Sequence, residues 1–122
     1  MFFAASNASN QISNQIPAFS GYLDYGWFGG GLGGSALSTV DRIDYANDTA
    51  TASGRGPLSL ARQRLAATGT SSFGWFGGGW NGSRLSTVDR IDYVTDTATA
   101  SGRGPLSLAR NSLAATQNCP LI

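Results

Sequence analysis

The sequence predicts an all-β fold built from two copies of one unit of about four strands, and three observations lead there. The first is repetition. Gly26-Trp27-Phe28-Gly29-Gly30-Gly31 returns as Gly74-Trp75-Phe76-Gly77-Gly78-Gly79, and residues 37–45 return letter for letter as residues 85–93. Residues 25–68 and 73–116 agree at 36 of 44 positions with an offset of 48, and such a period outranks any local propensity. The second is composition. All eight basic residues are Arg and all seven acidic residues are Asp, so Lys and Glu, the staple of exposed helices, are absent beside 17 Gly. The third is alternation: Thr39, Asp41, Ile43 and Tyr45 share one face of an extended segment, and Val40, Arg42 and Asp44 share the other.

Taken in order, residues 1–21 precede the repeats as an Asn/Gln-rich arm. Its composition suits a flexible tail, while Phe2, Phe3, Ile12, Ile16 and Phe19 would let it dock on a partner. Residues 22–31 read as a strand, because Tyr22, Tyr25, Trp27 and Phe28 favour extended backbone. The glycines that close it allow a tight turn or a close backbone approach. Residues 32–36 connect to the strand at 39–45. Asn47-Asp48 is a turn signal, and Thr49-Ala50-Thr51-Ala52-Ser53 reads as the next strand. Residues 54–59 form a loop stiffened by Pro57. The alanine-rich segment 60–68 fits a short helix or a strand, and four strands per period favour the strand. The two repeats thus occupy 22–116, divided as 25–72 and 73–116, and residues 117–122 form a tail.

A strand closing on a diglycine, a Val-Asp-Arg-Ile-Asp-Tyr strand, an Asn-Asp-Thr turn and the Pro57-Leu58-Ser59-Leu60-Ala61-Arg62 segment together resemble a kelch-type repeat. Pro105 to Arg110 repeats the last of these. The resemblance implies a β-propeller of four-stranded blades, about two per chain. The pattern departs in placing Trp27 and Trp75 on the diglycine strand and no Trp in the fourth strand. More loosely, the repeat wording resembles proteins of bacteriophage virions and fibres, which implies a virion or another outward-facing assembly as the location.

On the kelch pattern the strands run second to fourth over 22–53, first to fourth over 62–101, and first again over 110–116. A first strand would then complete the blade of another copy, with Tyr25, Trp27 and Phe28 of one chain exchanging with Leu113 and Ala115 of the next. Two isolated blades leave open edges, whereas a head-to-tail ring closes them. Two blades per chain allow four, six or eight. A homotrimer of six is the expectation, with a dimer or tetramer as the other closures.

The chemistry is restricted by what is missing. Without His there is no Ser-His triad, and without Lys no Schiff base or phosphate-loop lysine, so no enzyme and no cofactor are expected. Asp41 and Asp44 lie three apart on a strand and face opposite ways, which disfavours a glycosidase pair. Asp44, Asn47 and Asp48, with Asp92 and Asp96 in the second copy, offer oxygen ligands, but their spacing fits turn capping better than calcium, and no metal is expected. Arg42, Arg62 and Arg110 are expected to hold loops or join blades. Trp80, Asn81 and Arg84 replace Leu32, Gly33 and Ala36 of the first copy, so that loop is not dictated by the repeat. With Trp75 they form a candidate contact for a glycan or a partner, against the plain alternative that Trp80 covers glycine-rich backbone.

A net charge of +1 leaves no footprint for nucleic acid or an anionic membrane. No apolar run reaches the roughly 18 residues of a membrane span, and residues 1–5 lack the core and basic flank of a signal peptide. Asn7, Asn47 and Asn81 begin glycosylation triplets, and no export route that would use them is expected. Cys119 stands alone and gives no disulfide within the chain.

Overall fold

The computed structural model of the chain describes residues 24–118. The expected arm and Cys119 lie outside the described residues. Among the described residues the regular structure is β-strand apart from two short 3₁₀ turns, and it forms two antiparallel sheets. The first sheet has three strands: β1 (Tyr25–Gly29), β2 (Val40–Asp44) and β3 (Ser53–Arg55). The second has four: β4 (Ala66–Gly69), β5 (Phe73–Gly77), β6 (Val88–Asp92) and β7 (Ser101–Arg103). Each strand pairs only with its chain neighbours, so both sheets are simple meanders. Among the described residues no helix is long and apolar enough to cross a membrane.

The repeat is copied down to register. Tyr25 faces Asp44 and Gly29 faces Val40, as Phe73 faces Asp92 and Gly77 faces Val88. Val40 faces Arg55, as Val88 faces Arg103. The aromatic strand ends where the glycines turn the chain. Gly30 has a φ of 74°, and a side chain there would press within 2.7 Å of the Arg62 carbonyl. Only glycine tolerates both the left-handed backbone and that approach. Gly31 N–H then donates to Arg62 O at 2.9 Å and Leu37 N–H to Gly31 O at 2.8 Å, tying the loop at 57–65 to the turn.

Two expected strands are displaced. The Thr/Ala segment 49–52 is not extended; a 3₁₀ turn at Tyr45–Asn47 takes up the chain, and β3 begins only at Ser53. The cause is register. Arg42 pairs with Ser53, so everything between Asp44 and Ser53 is hairpin loop, and the Asp44 carboxylate fixes it by accepting from Ala46 N–H at 2.9 Å. The alanine-rich segment does supply a strand, but only from Ala66, because residues 60–65 form the irregular link to the glycine turn.

The apolar core lies between the two sheets. Val40, Leu58, Phe76, Ile91 and Ala100 are buried together, with Trp27, Leu65 and Tyr93 packed around them. Trp27, Val40, Leu58 and Leu65 belong to the first repeat and Phe76, Ile91, Tyr93 and Ala100 to the second. The core is therefore the joint between repeats, and that joint positions the groups described next.

Candidate functional site

The joint is a set of three locks. In the first, Phe76 drops its ring onto Gly29, where a Cβ would come within 2.7 Å of Cε1. Glycine at that strand position leaves the slot that the ring fills.

The second lock is a buried ion pair. Arg62 and Asp89 are both 0% exposed, and Arg62 Nη1 donates to Asp89 Oδ2 at 3.1 Å. Arg62 also donates from Nε to Gly78 O at 2.7 Å, from Nη2 to Phe76 O at 2.9 Å and from Nη1 to Leu60 O at 3.1 Å. Asp89 accepts further from Ser59 Oγ at 2.6 Å and Ser59 N–H at 2.9 Å. Both charges are compensated by short bonds, the condition under which a buried pair can persist.

The third lock gathers all three strands of the first sheet on one carboxylate of the second repeat. Asp96 accepts from Trp27 Nε1 (β1) at 2.9 Å, Arg42 Nη1 (β2) at 3.2 Å and Arg55 Nη2 (β3) at 2.7 Å. It is 4% exposed. Burial raises its pKa, but hydrogen bonds from Arg55 and Trp27 and the charges of Arg55 and Arg42 outweigh that, so Asp96 titrates below its ordinary value. Tyr93 stacks on Trp27 with centroids 4.3 Å apart, and burial there, followed by the proximity of Tyr45, raises its pKa. Backbone bonds run alongside: Gly56 N–H to Asp96 O and Ala100 N–H to Pro57 O, each at 2.8 Å.

The 48-residue counterparts of these groups are not joined to one another within the chain. Phe28, the counterpart of Phe76, is 65% exposed against 5%. Tyr45, the counterpart of Tyr93, is 59% exposed, and Asp48, the counterpart of Asp96, is exposed in its turn. At the other end, Trp75, Gly77, Val88, Leu106 and Leu113 line an open cavity of about 150 Å³. They are the counterparts of Trp27, Gly29, Val40, Leu58 and Leu65: Gly29 lies against the Phe76 ring, and the other four belong with Phe76 to the apolar core. The chain thus carries one face of the joint on its first repeat and the complementary face on its second.

The expected glycan contacts are divided between two places. Trp75 lies on β5 and lines the cavity, where Phe73 packs on it at 6.0 Å. Trp80 is half-buried: its backbone pairs with Gln63 of the first repeat in both directions, at 2.8 and 3.0 Å, and bridges to Arg84. Asn81 and Arg84 are exposed on the intervening loop. Of the residues expected to exchange strands, Tyr25, Trp27 and Phe28 lie on β1, which pairs with β2 on one edge and with no described strand on the other. Leu113 and Ala115 lie in the segment expected as a strand over 110–116, which forms no strand within the chain; it is held near β4, where Ser112 N–H donates to Arg64 O at 2.8 Å and Thr68 Oγ1 to Thr116 O at 2.9 Å. Both bonds link a residue to its counterpart 48 positions on.

Asp44 and Asp92 cap their turns, the latter accepting from Val94 N–H at 3.1 Å, and among the described residues no three acidic, His or Cys side chains are grouped to hold a metal. Arg42 and Arg62 join the repeats, and Arg110 holds its loop by donating to Leu108 O at 3.3 Å. Asp89, Asp96, Ser59 and Arg55 escaped sequence reasoning as partners. The available signal was that Asp and Arg are the chain's only charged residues and recur at fixed spacing, so their pairing had to lie within or between repeats. Comparison with protein-family models and with curated proteins finds no match to this chain.

Proposed function

We propose that the protein is a non-enzymatic structural or adhesive module, a kelch-like β-propeller that several copies of the chain complete as a ring. The observation that carries this reading is the pair of complementary faces, one on each repeat, with Phe28 exposed on the first and an apolar cavity open on the second. Two meander sheets that repeat the same register are compatible with successive blades of a propeller. Six blades from a homotrimer is the preferred closure, with four or eight as the others. The likeness of the repeat wording to bacteriophage virion and fibre proteins supports a role in a phage particle, with residues 1–21 as the anchor and the blade loops outward.

Native mass measurement of the full chain at micromolar concentration is the test. A trimer supports the six-bladed ring, a dimer or tetramer selects another closure, and a monomer overturns the assembly.

The second reading is a lectin-like propeller, favoured by the Asn81 and Arg84 side chains displayed beside Trp80. On a glycan array that reading requires binding which Trp80→Ala abolishes; signal unchanged by the substitution removes it. Deleting residues 1–20 separates the two, since an anchored module loses docking while a free lectin keeps its sugar.

A further inference from the structure

We infer that a second copy of this chain docks on the free face of the second repeat, seating its Phe28 over Gly77 and giving its Asp41 to Arg110 and its Asp48 to Arg90 and Arg103. This rests on the assembly reading above and adds the residues that make the contact.

The internal joint is one step of a copying operation that the chain can continue with another copy of itself. Every group on the first-repeat side of the internal joint has a counterpart of the same residue type on the second repeat. Gly29, Val40 and Leu58 recur as Gly77, Val88 and Leu106; Arg42, Arg55 and Arg62 recur as Arg90, Arg103 and Arg110. Every group on the second-repeat side recurs on the first, with Phe76, Asp89 and Asp96 as Phe28, Asp41 and Asp48. The displacement that relates the repeats therefore carries the second repeat onto the first repeat of another copy and remakes all three locks. None of them can form within one chain, because the two faces lie at opposite ends.

The fit is chemical as well as geometric. The cavity of about 150 Å³ is of the size that accepts a benzene ring. A ring of that size stands exposed on the opposite face. Arg110 lines the cavity, the second repeat also carries Arg90, over the Phe73 ring at 4.3 Å, and Arg103, and the first repeat brings two carboxylates. Gly104, the counterpart of Gly56, has open space beside it for a neighbouring turn, as Gly56 has the Ala98 backbone. A two-fold pairing of first-repeat faces would instead set Asp41 and Asp48 against each other without arginines. The contact is therefore head-to-tail.

Two variants that spare the single chain test it. Phe28→Asp changes an exposed side chain. Gly77→Val fills the cavity, where a Cβ meets only ordinary contacts, 3.6 Å from Val88 and 3.9 Å from Leu106. Each variant alone should run as a folded monomer with wild-type near-ultraviolet circular dichroism. Mixed in equal amounts they should form a 1:1 dimer, since one intact contact survives between the intact Phe28 of one and the intact Gly77 of the other. Asp48→Arg, at an exposed turn, should weaken assembly on the order of 100-fold. Should either of the first two variants unfold, Asp48→Arg decides alone. A wild-type oligomer that survives these substitutions, or single variants that stay monomeric when mixed, overturns this contact and leaves the ring reading standing. A wild-type monomer overturns both.

Discussion

Arg62 holds a full positive charge out of water, and its stability depends on four acceptors, the Leu60, Phe76 and Gly78 carbonyls and the Asp89 carboxylate. Arg62→Ala leaves Asp89 buried with only Ser59, and breaking such a pair from one side costs about 3–5 kcal/mol. Urea denaturation should read that loss as a lower midpoint with an unchanged slope. The presence of Arg62 at the joint was legible in the sequence, because an Arg repeated at the same place beside a proline loop suggests a linking bond. Its partner was not legible. Asp41 and Asp89 sit in the same nine-residue string, yet Asp89 is fully buried and Asp41 only half so. Identical local sequence cannot distinguish them; the difference is made by which copy has a neighbour beside it.

Among the elements, the first sheet is held less by its own short strands than by the carboxylate on which all three converge. Asp96 titrates below its ordinary value, so its contribution is complete above the unfolded carboxylate pKa of about 3.9 and disappears as pH falls through the lower folded value. Asp96→Asn removes that charge while keeping the shape, and should cost about 2–4 kcal/mol at neutral pH. Thermal melts across pH should show the gap between wild type and Asp96→Asn closing below about pH 4; a gap independent of pH would mean that shape, and not charge, joins the sheets. The strands at 25–29 and 40–44 were readable from aromatic content and alternation. The strand at 49–53 was misplaced because threonine favours extended backbone only where a partner strand is opposite. Register gave that partner to Ser53–Arg55 instead, and no periodicity in Thr49-Ala50-Thr51-Ala52 records it.

For the whole molecule, the thinness of the core is decisive. Among the described residues only Val40, Leu58, Phe76, Ile91 and Ala100 are buried apolar groups, while Phe28, Leu32, Tyr45, Val94 and Leu108 stand exposed. A chain of this length ordinarily buries about two-thirds of the surface its unfolded form exposes, and margins of stability are narrow even then. Remaking the joint between copies would bury Phe28 and Tyr45, cover the edge of β1 that no described strand pairs with, and bring carboxylates to Arg90, Arg103 and Arg110, so association and folding become one equilibrium. Mass action then requires the melting temperature of the wild-type chain to rise with protein concentration. In Phe28→Asp the contact is lost, and the melt should be lower and independent of concentration over the same range. Calorimetry between about 1 and 100 μM, a span worth roughly 2.7 kcal/mol for a one-to-one contact, gives a shift large enough to resolve. A wild-type transition fixed across that range would mean that the single pair of sheets is self-sufficient, and that the exposed Phe28 serves something other than another copy of the chain.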